Sequence, residues 1–100
     1  MIRIVILTVR PEALDAFRAF EHQAARIMAR HGGAIERVVV VKPAAPETQH
    51  KEVHLVTFPS AEAFAAYRAD PALKALAPLR EASVVSTETW EGEEGPTYGR

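Results

Sequence analysis

Residues 2–9 form an unbroken apolar run except for Arg3 and Thr8, rich in β-branched side chains and bounded by Arg10-Pro11. That composition and length predict a buried strand. From Glu12 the apolar period changes from two to about 3.6. Leu14, Phe17, Phe20, Ala24, Ile27 and Met28 fall on one stripe of a helix that runs to His31, with Pro11 suited to its first turn and Gly32-Gly33 ending it. Ala34–Lys42 is predicted as a second strand centred on Val38–Val41. Pro43–His50, with two prolines, is a loop, and Lys51–Phe58 is a third strand. Ser60 is a good N-cap for a helix carrying Glu62 in its first turn and reaching about Arg68. Asp70-Pro71 opens a second short helical piece over Ala72–Ala77 that ends near Pro78, and Ala82–Glu91 is the last strand. The stretch beyond it holds three glycines and a proline and is expected to be a mobile tail.

The order β-α-β-β-α-β is most simply built as an α+β ferredoxin-like sandwich, a four-stranded antiparallel sheet with both helices on one face. The first and third strands would be central and the second and fourth would be edges. One domain spans residues 1–92, and 93–100 form the tail. A sheet covered on one face should alternate apolar and polar positions. The first strand does not: Ile2, Ile4 and Ile6 point one way and Val5, Leu7 and Val9 the other. Val53 and Leu55 oppose Val56 and Phe58 in the same manner on the third strand. The valine run on a presumed edge adds a surface that invites pairing. A homodimer stacking two open sheet faces is therefore expected, the other option being a tail that folds over the free face.

Composition narrows the classes. Apolar residues make up 48% and charged residues 25%, a globular balance in 100 residues. The formal net charge is −1. A stripe of Arg18, His22, Arg26 and Arg30 is diluted by Glu12, Asp15 and Glu21 beside it, so no nucleic-acid partner is expected. Cysteine is absent, which excludes disulfides, thiolate catalysis and thiolate metal sites and fits a reducing compartment. The N-terminal apolar run is too short to span a bilayer and no cleavage pattern follows it, so no membrane partner and a cytoplasmic location are expected. Asparagine is absent too, and nine arginines outnumber three lysines. A GC-rich genome accounts for that usage better than heat adaptation, which usually enriches lysine.

The chain carries no phosphate-binding GxxxxGK[ST], no GxGxxG, no HExxH and no GxSxG, so no cofactor and no metal are expected. His22 and His31 lie nine residues apart, half a turn out of phase, which rules out shared ligation. His22 reads as solvated, and His31 as a residue that bonds the last helical carbonyls or covers the core. His50 falls in the predicted loop and carries no signal. His54 alternates with Val56 and Phe58 on a largely apolar face of a central strand. Two readings stand: a general base or ligand anchor near neutral pH, or an interface histidine bonded to a neighbour. Tyr67 shares a helix face with Phe64 and is either core or a cavity wall. Arg80 pairs with a carboxylate, a ligand's or a neighbour's. Trp90 either stacks on an aromatic ligand at one end of a cavity or packs at the dimer seam.

His31 with Gly32-Gly33 is one marker of a known group, and Phe58-Pro59-Ser60-Ala61-Glu62-Ala63-Phe64, Tyr67, Asp70-Pro71 and Leu79-Arg80-Glu81-Ala82 are another. On these residues the chain resembles, over positions 1 to about 92, a small uncharacterised domain family of the dimeric α+β-barrel superfamily. That superfamily also holds antibiotic-biosynthesis monooxygenases and muconolactone isomerases. The family often has an acidic residue before its first proline, where this chain has Arg10, and it offers no agreed catalytic residues to carry over. The resemblance implies a dimer and a small-molecule ligand in a cavity between sheet and helices. It leaves three functions open: a cofactor-free enzyme with His54 as base, Tyr67 and Trp90 as walls and Arg80 as anion clamp; a non-catalytic ligand-binding dimer; and a purely structural dimer.

Overall fold

The computed structural model describes residues 1–45 and 49–99. Strand β1 (Ile2–Val9) is followed by a 3₁₀ turn at Pro11–Ala13 and helix α1 (Leu14–Arg30). Strands β2 (Ala34–Val40) and β3 (His50–Thr57) come next, then short helices α2 (Ala61–Ala69), α3 (Pro71–Lys74) and α4 (Ala77–Ser83), and finally β4 (Val84–Gly92). The antiparallel sheet has the order β2-β3-β1-β4, with β1 and β3 central as their two-sided apolarity required. Pro46, Glu47 and Thr48 of the predicted loop lie outside the described residues. Residues 93–99 are exposed and carry no helix or strand. Among the described residues, no helix is long and apolar enough to cross a membrane.

Helix α1 buries the stripe that its periodicity defines, Phe17, Phe20, Ala24, Ile27 and Met28. Beneath it the helix-facing side of the sheet makes two apolar clusters. Leu7, Val9, Phe17 and Val84 form one, and Met28, Val56 and Phe58 the other, with Val5 packed against both. Among the described residues, no helix lies over the opposite face of the sheet. Register places Ile2, Ile4 and Ile6 there beside Val53 and Leu55, with Val39 opposite Val53 and Trp90 opposite Ile4. Ile4, Leu55, Val39 and Trp90 are exposed.

The C-terminal third departs from the sequence reading. Pro78 does not end a helix but sits in the first turn of α4, where its missing N–H leaves no bond unmade. The last strand accordingly starts at Val84 rather than Ala82, after Ser83 Oγ bonds the carbonyls of Leu79 and Arg80 and closes the helix. Arg10, which stands where the resembled family often has an acid, donates to the carbonyls of Glu81 (3.0 Å) and Val84 (3.3 Å) and ties this junction to β1. Ser60 caps α2 by accepting from the Ala63 N–H at 3.1 Å, and Asp70 caps α3 through the Ala72 N–H at 2.9 Å.

The His31 backbone N–H bonds Met28 O at 3.0 Å, but its side chain reaches outside the helix. Its ring lies 2.8 Å from the Asp70 carboxylate and joins the end of α1 to the start of α3. The hydrogen bond from His31, with that of the Ala72 N–H, holds the Asp70 carboxyl below its ordinary value. The stabilising contribution is therefore present above the ordinary carboxylate pKa and is lost as pH falls through the lower, folded-state value.

The α1–β2 turn shows why two glycines follow His31. The Gly33 N–H bonds Met28 O and the Gly32 N–H bonds Ala29 O, both at 3.0 Å, with Gly32 at φ +75°. This is the left-handed closure that glycine adopts without steric cost. Gly33 is constrained by space: a Cβ there would overlap the Phe58 ring and stand 2.6 Å from Met28 Cγ. Gly33→Ala should therefore lower stability by about 1–3 kcal/mol through overpacking. Urea unfolding reads the shift, and an unchanged midpoint would contradict this account of the turn.

Candidate functional site

Short helices α2 to α4 cover the sheet less tightly than α1 does: α2 and α3 have no fully buried residue. The space left between them, α1 and the sheet is a cavity of about 670 Å³, within the range that holds small organic ligands. Val5, Leu7, Met28, Val56, Phe58 and Phe64 give it apolar walls. His54, Glu21, Tyr67 and Arg80 bring chemistry to it from β3, α1, α2 and α4.

The polar centre is on β3. Residues 50, 52 and 54 alternate with period two, so His50, Glu52 and His54 share the helix-facing side. Glu52 is 5% exposed and His54 3%, and a buried carboxylate requires partners. It has two. His50 Nε2 lies 2.7 Å from Glu52 Oε2, and His54 Nε2 lies 2.9 Å from Glu52 Oε1. Burial pushes the Glu52 carboxyl upward, but the hydrogen bonds and charges of His54 and His50 outweigh it and hold the group below its ordinary value. An ionised Glu52 accepts an N–H from each ring. Nε2 is thus the nitrogen of His54 that meets Glu52, and Nδ1 is turned away from it.

Nδ1 faces Glu21, whose Oε2 is 3.8 Å away. The Glu21 carboxyl is pushed up by burial, opposed by His54 and reinforced by the negative Glu52. Two carboxylates thus flank one imidazole with their pKa values driven apart, a pattern that separates acid and base roles. The Tyr67 hydroxyl is pushed up to about 12 by burial and by Glu21, with Arg80 opposing. It stays protonated, and so able to donate a hydrogen bond, across the neutral range. Its ring packs 5.4 Å from Phe58 and 6.3 Å from His31, so the helix that carries it is held against both apolar and polar anchors.

His54 and Glu21 also line a smaller cavity of about 280 Å³, together with Glu52, His22 and Val38 towards β2. The imidazole therefore stands in the partition between two spaces. Among the described residues, no group of three or more His, Asp or Glu side chains is arranged to hold a metal ion.

Of the residues singled out in the sequence, the fold brings His54, Tyr67 and Arg80 to one cavity. Trp90 does not join them. It sits opposite Ile4 in the sheet register, half-exposed on the open face, and does not line the cavity. Its place as a cavity wall is corrected by strand alternation, since Thr87 and Thr89 hold the cavity-facing positions of β4. Among the described residues, Arg80 meets no carboxylate at ion-pair distance; it donates to Thr87 Oγ1. His50 is not in a loop but opens β3. The face that holds His54 is not purely apolar, because Glu52 shares it. The partner reading of His54 thus finds its neighbour within the strand. Glu21, Glu52 and Arg3 were not among the expected site residues. The spacing His-x-Glu-x-His carried the signal for Glu52, hidden because the third strand was expected to begin at Lys51.

The same architecture occurs in solved structures. The protein RPA0582 of unknown function from Rhodopseudomonas palustris superposes with a TM-score of 0.73 at 18% identity, over 94% of this chain and 83% of that one. SnoaB, a cofactor-independent oxygenase from Streptomyces nogalater, gives 0.62 at 16% identity over 99% and 96%. An antibiotic biosynthesis monooxygenase gives 0.64 at 13% identity over 96% and 100%. These likenesses show the ferredoxin-like α+β fold. Within it, the chain belongs to the family described as domain of unknown function DUF1330, whose model matches residues 4–92. No curated protein matches the chain.

Glu21 offers a direct check on the electrostatics. Its folded-state pKa is raised, so the folded form binds more protons than the unfolded form as pH falls through that range. Ionising Glu21 at neutral pH therefore costs stability. Glu21→Gln should raise the melting temperature at pH 7, and the gain should fade as pH falls through the raised folded-state value towards the ordinary one. A variant equally or less stable at pH 7 would show that Glu21 carries no such burden.

Proposed function

We propose that this protein is a cofactor-independent acid–base enzyme that acts on a small organic molecule held between sheet and helices. The observation that carries the reading is His54, buried in a cavity wall, oriented by Glu52 at 2.9 Å and with its second nitrogen turned to Glu21. Histidine so oriented is a general base whose protonated form the neighbouring carboxylate stabilises. Nδ1 takes a proton from a carbon next to a carbonyl, the C–H electron pair becomes a C=C bond, the C=O π pair moves onto oxygen, and an enolate forms. Tyr67, a neutral donor, and Arg80 are the groups that meet the negative oxygen. Returning the proton to a different atom, from His54 or from protonated Glu21, gives isomerisation. Passing the enolate's electrons to dioxygen gives oxygenation, and the fold shared with SnoaB, described as a cofactor-independent oxygenase, supports keeping that outcome.

The test is solvent deuterium exchange. Enolisable aromatic 2-oxo acids and 1,3-diketones in D₂O should lose their acidic C–H signal faster with the protein than in buffer. His54→Gln keeps an N–H for Glu52 but removes the basic nitrogen, and should slow that exchange by roughly 10²–10⁴-fold. Equal rates for the variant would remove His54 from the chemistry. Binding without exchange across the series would favour a non-catalytic ligand carrier.

The reading includes a homodimer joined through the open sheet face. Ile2, Ile4, Ile6, Val39, Val53, Leu55 and Trp90 form a contiguous apolar surface that a monomer would leave in water. Trp90 then belongs to the seam. Sedimentation at micromolar concentration should report about twice the 11.0 kDa chain mass. Val39→Lys, on the open face, should shift it towards monomer, whereas Val40, paired with Glu52 on the other side, is not a seam position. A stable monomer of the unaltered chain would refute the dimer.

A further inference from the structure

The cavity lining is unbalanced in charge. Arg3, Arg68, Lys74 and Arg80 contribute four cations, against Glu21 as the single carboxylate. Arginines next to carboxylates normally pair with them. Among the described residues, the ion pairs all involve histidines, and none of the four lining cations takes part in one. Glu91 stands opposite Arg3 in the sheet and still makes no ion pair with it.

Arg3 is the most informative of the four. It stands on the central strand β1, on the same face as Val5 and Leu7, where the fold calls for an apolar side chain. Its Nη2 donates to Thr89 Oγ1 at 2.8 Å, and its Nε is buried without any partner. The guanidinium lies 4.9 Å from the centroid of the Phe64 ring, and that of Arg68 lies 5.8 Å from the same ring. Two like charges are thus held at one aromatic side chain by cation–π attraction, with no protein anion between them.

We infer that the cavity takes an aromatic carboxylic acid, its carboxylate held at Arg3 and Arg68 and its ring lying along Phe64, Phe58 and Tyr67 towards His54. A planar guanidinium matches a carboxylate better than it matches a neutral oxygen. The apolar walls accept the ring, and the volume of about 670 Å³ accommodates it. This assignment rests on the acid–base reading only for the direction in which the reacting carbon points. The charge argument stands without it.

The probe is phenylpyruvate, which carries a carboxylate, an aromatic ring and an enolisable C–H, compared with its neutral methyl ester. Calorimetric titration of the unaltered protein should show the acid binding at least tenfold more tightly than the ester, and more weakly as sodium chloride rises from about 50 to 500 mM. Arg3→Gln combined with Arg68→Gln should erase that preference and leave ester binding unchanged. Because Arg3 lies in a central strand, Arg68→Gln combined with Lys74→Gln, both on exposed helical positions, gives a second variant in which the preference should fall several-fold. Equal binding of acid and ester, absence of acid binding at millimolar concentration, or a preference unchanged in both variants would overturn the assignment. His54→Gln separates the two readings. Acid binding retained in that variant, with no deuterium exchange by the unaltered protein, would remove the enzyme and keep the carboxylate site. Exchange of the ester as fast as of the acid would keep the enzyme and remove the carboxylate site.

Discussion

Strand β1 sets the terms for the rest of the molecule, because it is apolar on both faces. Leu7 and Val9 are buried under α1, while Ile2, Ile4 and Ile6 look the other way. A strand of that kind is stable only in the middle of a sheet, with cover on each side. Its central place between β3 and β4 follows, and so does an open face that carries a second set of aliphatic side chains. The chain supplies helices for one side only. The two-layer architecture and the free apolar surface are therefore two results of one pattern.

The cavity comes from unequal helical cover. Helix α1 has 17 residues and a continuous apolar stripe, so it packs closely on the sheet. The segment from α2 to α4 is broken by Pro71 and Pro78 into pieces of nine, four and seven residues, too short and too irregular to present one long apolar face. It spans the remaining width and leaves space beneath. Val5 touches both apolar clusters, and the polar group on β3 lies on the same side of the sheet. A buried carboxylate here is tolerable because two histidines at the flanking alternate positions each meet one of its oxygens. The arrangement commits Nε2 of His54 to Glu52 and turns Nδ1 towards Glu21.

The strand and helix periods, the glycine turn after His31, the caps at Ser60 and Asp70 and the central position of β1 and β3 could all be read from local pattern, because each depends on neighbours within a few residues. Pro78 was harder. A proline can end one helix or start another, and here Pro78 stands in the first turn of α4 with Leu76 and Leu79 half-buried beside it. His54 was visible as a titratable group among aliphatic neighbours. Its partner Glu52 was equally visible at period two, but assigning His50 to a loop broke the triplet that gave it meaning.

The sequence by itself determined which residues face which side of each element, because side-chain direction follows the backbone period. That was enough to put His54 on one face of the third strand with Val56 and Phe58, and to give the sheet apolar residues on both faces; the fold put His54 under the helices. The tertiary structure alone decided which side chains from distant elements meet. Glu21 on α1, Tyr67 on α2, Arg80 on α4 and Arg3 on β1 converge on one cavity, while Trp90, one residue beyond a cavity-facing threonine, is turned to the opposite face. Such convergence depends on strand register and on where short helices cross the sheet. Both are settled by packing across the whole chain, which no local window of sequence contains.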